Sequence, residues 1–125
     1  MRPVRTVFFT LFLVTVVATL LSVAPAGAHA VLLESSPAQK SAVAGPDVPI
    51  KLRFNVRIDA LRSRLTLIRP DGATQALDIS KQTPADTLTA QISGLAAGEY
   101  RLRWQVLASD GHITRGEIPF TVTAA

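Results

Sequence analysis

The chain holds only two histidines, His29 and His112, and each has neighbours that could make an imidazole into a metal ligand. Asp110 stands two residues before His112, with Gly111 between them. In an extended segment, side chains two apart leave the backbone on the same side, and a glycine between them lets the chain turn without a Cβ clash. A carboxylate and an imidazole can then converge on one point. His29 directly follows Ala26-Gly27-Ala28, small residues of the kind a signal peptidase accepts. Cleavage after Ala28 would give His29 a free α-amine, which together with Nδ1 can close a chelate ring on one ion. An α-amino pKa of about 7.7–8.0 lets a divalent metal displace that proton near neutral pH. Three nitrogens and one carboxylate oxygen suit a tetragonal Cu(II) centre, and the order of divalent affinities favours copper over nickel or zinc. The expected site is therefore one Cu(II) per chain, held by His29, Asp110 and His112.

Everything depends on the N-terminal segment. Arg2 and Arg5 give a basic start, and residues 7–23 are apolar except for Thr10, Thr15, Thr19 and Ser22. This is the layout of a secretory signal peptide. An uncleaved anchor is the alternative, because the apolar run approaches the roughly 18–20 residues that cross a bilayer. Pro25 and the A-x-A motif favour cleavage, which divides the chain into a signal peptide, 1–28, and one mature domain, 29–125. Of 13 lysines and arginines, Arg2 and Arg5 leave with the signal, so 11 remain against 9 acids. That mild, scattered positive charge in an exported protein argues against a nucleic-acid partner. There is no cysteine, hence no disulfide framework, and the one methionine is Met1, so the mature domain contains no sulfur.

The elements that must position the histidines are strands. "PIKLRFNVRI" (49–58) puts Ile50, Leu52, Phe54, Val56 and Ile58 on one face, with Lys51, Arg53, Asn55 and Arg57 on the other. "YRLRWQV" (100–106) repeats the pattern with Tyr100, Leu102, Trp104 and Val106 inward. Weaker alternation marks 30–34, 64–69, 74–79, 87–92 and 117–123, with turn residues between. No stretch keeps a helical period. Seven short strands predict an all-β, seven-stranded antiparallel immunoglobulin-like (Greek-key) sandwich. Tyr100 is placed to form a tyrosine corner and Trp104 to be a core indole. Pro119 lacks a ladder donor, so its strand should be at an edge there or bulged. If each connection reverses direction, the first strand begins, and the loop before the last strand lies, at the same end. Topology alone then brings His29 and the 109–116 loop together, with the connection holding Arg57, Arg62 and Arg64 beside them.

The segments "HAVLLESSPA", "PIKLRFN", "GLAAGEYRLRWQVLASDGH" and "GEIPFTV" resemble the CopC family of exported copper-binding proteins, over essentially all of 29–125. The resemblance implies Cu(II) bound through the N-terminal histidine and an Asp-x-His pair, which fall on His29, Asp110 and His112. Some members add a glutamate in a Phe-Ser-Glu segment; this chain reads Phe54-Asn55-Val56, so no fifth ligand is expected at Val56. Others carry a methionine-rich Cu(I) site, which a sulfur-free domain cannot build. The implied role is a periplasmic copper carrier or buffer in copper homeostasis or resistance. The implied partner is an inner-membrane copper permease of the CopD type, with the protein itself a monomer.

Two other readings stay open. A copper-dependent monooxygenase can also use an N-terminal histidine on a β-sandwich, but Asp110 would fill a position that oxygen needs. The mature aromatics Phe54, Tyr100, Trp104 and Phe120 are all in core phase, so none forms a sugar platform. A hydrolase fits less well still, since Ser109, Asp110 and His112 are too close in sequence for a triad without a special turn and no oxyanion hole is visible. A metal-free interaction module becomes the preferred reading if the signal is retained, because an amide-linked His29 offers no amine.

Overall fold

Strict alternation of apolar and polar residues requires sheets that bury one face, and two such sheets close on each other. The computed structural model describes residues 29–124, so the expected signal segment, 1–28, lies outside the described residues. The strands are β1 (Leu32–Ser36), β2 (Ser41–Ala44), β3 (Val48–Phe54), β4 (Arg64–Ile68), β5 (Thr74–Leu77), β6 (Thr87–Ile92), β7 (Gly98–Leu107) and β8 (Ile113–Thr123). A 3-10 turn, Ala60–Arg62, lies between β3 and β4. One sheet has the order β1-β3-β6 and the other β2-β8-β7-β4-β5.

The seven expected strands are all present, and the sandwich has an eighth. β2 pairs parallel with β8, from Ser41↔Phe120 to Ala44↔Thr123. Four half-exposed residues carry little hydrophobic pattern, and their partner lies some 80 positions away, so no local signal marks this strand. Its pairing begins only at Phe120, which leaves the part of β8 up to Pro119 without a neighbour on that side. Pro119 thus falls where the edge is open, and its carbonyl accepts from the Lys40 amide at 2.6 Å. β3 ends four residues earlier than expected. At Asn55 the chain leaves the sheet, and Ile58 keeps only an isolated bridge to Ala108.

The inward residues are those of the period-2 reading. Val48, Ile50, Leu52 and Phe54 from β3 meet Tyr100, Leu102, Trp104 and Val106 from β7, all buried. The Tyr100 hydroxyl donates to the Ala96 carbonyl at 2.7 Å, forming the expected tyrosine corner, and its ring stacks on Phe120. Trp104 packs edge-on to Phe54, with centroids 5.3 Å apart. On its other side the indole lies over Gly116, its register partner in β8. A Cβ at Gly116 would come within 2.6 Å of indole Cε2, so the glycine is there to admit the ring. Gly116→Ala should overpack this contact and lower stability by about 1–3 kcal/mol. Urea unfolding followed by Trp104 fluorescence measures it, and an unchanged midpoint would mean that the ring has room to slide.

Candidate metal centre

β1, β4, β6 and β8 all run away from one end of the sandwich, and β3, β5 and β7 run towards it, as the antiparallel pairings require. Four segments therefore share that rim: the residues before β1, the β3–β4 connection, the β7–β8 turn and the β5–β6 connection, the last tied to the β3–β4 connection by the Ile58 amide on the Ala85 carbonyl at 2.9 Å. Hydrogen bonds tie them together. The Ser109 amide donates to the Arg57 carbonyl at 3.0 Å, and the Asp59 amide to the Leu107 carbonyl at 2.9 Å. The Leu107 amide donates to the Ser63 hydroxyl at 3.2 Å.

The β7–β8 turn is closed by the Gly111 amide on the Ala108 carbonyl and the Ala108 amide on the His112 carbonyl, both 2.9 Å. Gly111 has φ +89°, a conformation that a side chain would strain. Asp110 Oδ1 accepts from the His112 amide at 3.0 Å, and Oδ2 lies 2.9 Å from His112 Nδ1. The two side chains do converge, but through this tight turn and not through the extended segment expected from their spacing. They also bond to each other, so Nδ1 of His112 is engaged and Nε2 is the ring nitrogen left open. The backbone bond from His112 lowers the Asp110 pKa most. Desolvation opposes this, while the ring bond and the charges of His112 and His29 add to the lowering. Asp110 is thus an anion at neutral pH.

His29, 83 positions away, completes the group. Its ring centroid is 5.0 Å from that of His112, with the planes at 71°. A metal–imidazole bond of about 2.0–2.1 Å puts an ion roughly 3 Å from a ring centroid, so rings this far apart leave room for one ion at neighbouring coordination positions. Among the described residues no three histidine or carboxylate side chains already stand as a closed ligand set. The bond between Asp110 and His112 directs these two groups at each other. Val56 is half-buried against the core and offers no donor. Of the three arginines expected here, Arg57 and Arg62 lie in the connection and Arg64 is the first residue of β4. Arg62 is highly exposed, 3.8 Å from Asp59.

Two features of the rim are invisible in the pattern. Asn55 accepts from the Val31 amide through Oδ1 at 2.7 Å and donates its own amide to the Val31 carbonyl at 3.0 Å. This clamp fixes the backbone two residues after His29. A polar residue in outward phase at the end of a strand was the only available signal. Asp59 caps the 3-10 turn, its Oδ1 accepting from the amides of Leu61 and Arg62.

Fold and rim together define a β-sandwich protein with two imidazoles and a carboxylate gathered at one end. Residues 32–123 match the family model described as the CopC domain, and the chain belongs to the CopC family. The match takes in Asp110 and His112 and begins three residues beyond His29. Copper resistance protein C of Pseudomonas syringae pv. tomato is 32% identical over 126 residues, covering 94% of this chain and 96% of that protein. The crystal structure of CopC from Methylosinus trichosporium OB3b aligns with a TM-score of 0.69 at 31% identity, over 77% of this chain and 95% of that one. The copper transport protein CutJ of Bacillus subtilis (strain 168) is 25% identical over 101 residues, 78% of this chain but only 19% of CutJ. The chain thus spans about a fifth of that relative's length.

If the Asn55 clamp positions His29, removing its acceptor should loosen the segment before β1. Asn55→Ala is expected to speed hydrogen exchange at the Val31 amide and to weaken copper binding by roughly two- to tenfold, the equivalent of one net hydrogen bond. Asn55→Asp keeps an acceptor oxygen and should retain most of the affinity. Identical exchange rates in wild type and Asn55→Ala would remove the clamp from the argument.

Proposed function

We propose that this chain is an exported copper-binding protein whose domain, 29–125, holds one Cu(II) at the rim. In this reading the His29 α-amine and Nδ1, His112 and Asp110 supply the donors. The observation that carries it is the approach of His29 to His112 across 83 positions, beside an ionised Asp110, in a chain that belongs to the CopC family. Relatives over nearly its full length are named copper resistance proteins. The signal peptide is removed after Ala28, which creates the amine, and the protein works in the periplasm as a carrier or buffer. A copper permease of the CopD type in the inner membrane is the proposed recipient. Similarity to part of the much longer copper transport protein CutJ supports a link between this domain and transport.

The chemistry proposed is binding and not turnover. Asp110 stands where an oxygen-activating copper would need an open position, and the aromatic rings Phe54, Tyr100, Trp104 and Phe120 are buried, so they cannot present a flat surface to a sugar. Nitrogen and oxygen donors suit Cu(II), and a domain without sulfur has no soft site for Cu(I).

Competition titration against a calibrated copper chelator tests the ligands. Loss of a group that only supports a ligand typically costs about 10–100-fold in metal affinity, so Asp110→Ala should cost at least that and His112→Ala more. Unaltered affinity in His112→Ala would refute the site. The terminus is tested separately, by adding one residue before His29. The amine becomes an amide, the chelate is lost, and affinity should fall by orders of magnitude while the fold is kept. Equal binding by the extended and native forms, checked by intact mass, would show that the amine is not a ligand.

A further inference from the structure

Among the described residues four large apolar side chains are exposed: Val31 at 53%, Leu33 at 50%, Leu61 at 82% and Ile113 at 52%. Isolated exposed apolar residues are ordinary on a protein surface, but these four share one place. Val31 and Leu33 follow His29, and Ile113 follows His112. Leu61 tops the 3-10 turn, whose flanking residues Asp59 and Ser63 are both bonded to Leu107, the register partner of Ile113. All four lie on segments that form or adjoin the histidine rim, and the rest of the described surface presents no such residue.

Positive charge predominates on the segments that carry the histidines. Across residues 29–33, 55–64 and 107–115 there are four arginines, Arg57, Arg62, Arg64 and Arg115, against Asp59 and Asp110. Both aspartates are already engaged, Asp59 on the 3-10 turn and Asp110 on His112. The other acids of this end, Asp78 and Asp86, belong with Lys81 to the β5–β6 connection. Its Ala85 and Asp86 carbonyls accept from the Ile58 and Phe54 amides, so Asp86 lies beside Arg57 and offsets part of its charge, while Arg62, Arg64 and Arg115 stand on the other segments. A second copy of the chain would set arginine against arginine. The apolar groups are side chains on three segments, each at least half exposed. None of them lines the shallow hollow that Asn55, Val56, Arg57, Ala85 and Asp86 form beside the rim. A headgroup layer accepts projecting leucine, valine and isoleucine side chains without shape complementarity, and its phosphates pair with guanidinium groups. No helix among the described residues is long and apolar enough to cross a bilayer, so contact at this end is peripheral.

We propose that the histidine rim is a membrane-contact surface: Leu61, Val31, Leu33 and Ile113 enter the headgroup region of an anionic phospholipid layer while Arg57, Arg62, Arg64 and Arg115 bind its phosphates. The contact holds the metal-binding end against the bilayer, at the height where a membrane-embedded recipient opens. It needs no metal, so it is measured on the metal-free exported form, 29–125, and its outcome is independent of the copper assignment.

The experiment is flotation with vesicles of equimolar phosphatidylglycerol and phosphatidylcholine at low salt, with pure phosphatidylcholine vesicles in parallel. The protein should float with the anionic vesicles, and salt should release it. Leu61→Ser removes the most exposed apolar group and should weaken partitioning about tenfold or more. The pair Arg57→Glu with Arg62→Glu should abolish flotation, whereas Arg69→Glu, a single charge reversal at the opposite end of the sandwich, should leave it nearly intact. Circular dichroism verifies that each variant is folded. Absence of flotation with anionic vesicles overturns the proposal and leaves the arginine collar to an acidic protein. Equal loss in Arg69→Glu and in the rim variants also overturns it, by showing that net charge and not this surface is responsible.

Discussion

The pairing of β7 with β8 governs the rest of the molecule. Its register runs without a break through ten residue pairs, from Gly98↔Val122 to Leu107↔Ile113. One end of that ladder lies beside the tyrosine corner, where the Tyr100 hydroxyl reaches Ala96. The other ends in the turn that carries Asp110 and His112. Between them Trp104 falls opposite Gly116, the one partner in β8 that lets an indole lie flat across the neighbouring strand. A slip of one residue would turn every inward side chain outward and set the indole against a residue with a Cβ. The register that fills the core is therefore also the register that places the histidine.

What could be read from the sequence follows from which forces leave a local trace. β3 and β7 were legible because each buries one face, and burial writes a period of two into consecutive residues. The core aromatics and the tyrosine corner followed from phase within those strands. The meeting of His29 with the β7–β8 turn was legible from direction alone, since it needs only that connections reverse. β2 left no such trace, because its four half-exposed residues are held by backbone bonds to a strand far along the chain. The first turn of β8 was missed for a related reason: Ile113 points to solvent and Gly116 inward, which is the reverse of an apolar pattern.

At the site, residue identity was legible and local geometry was not. Two residues at a spacing of two can share a face in a strand or bond to each other across a turn, and the sequence does not choose. The Asx-type bond from Asp110 to the His112 amide decides for the turn. Asn55 is similar, since a side chain that holds Val31 by its backbone looks, in sequence, like any polar residue in outward phase. Such clamps join segments more than twenty positions apart and appear only when the chain is folded.

The composition of the core has a chemical consequence for anything bound at the rim. Beyond Met1 the chain has no thiol or thioether, and its single tryptophan and single tyrosine are buried at 7% and 3% exposure. A copper ion bound there as proposed, if reduced by an external thiol or ascorbate-type reductant and reoxidised by oxygen, would generate partly reduced oxygen species at its own position. The usual sinks for such oxidants, cysteine and methionine, are missing, and the oxidisable rings are shielded beneath closely packed aliphatic side chains. In the proposed binding mode the groups nearest the ion would be the imidazoles of His29 and His112. Damage would start with a ligand and weaken the site before it reached the core of the sandwich.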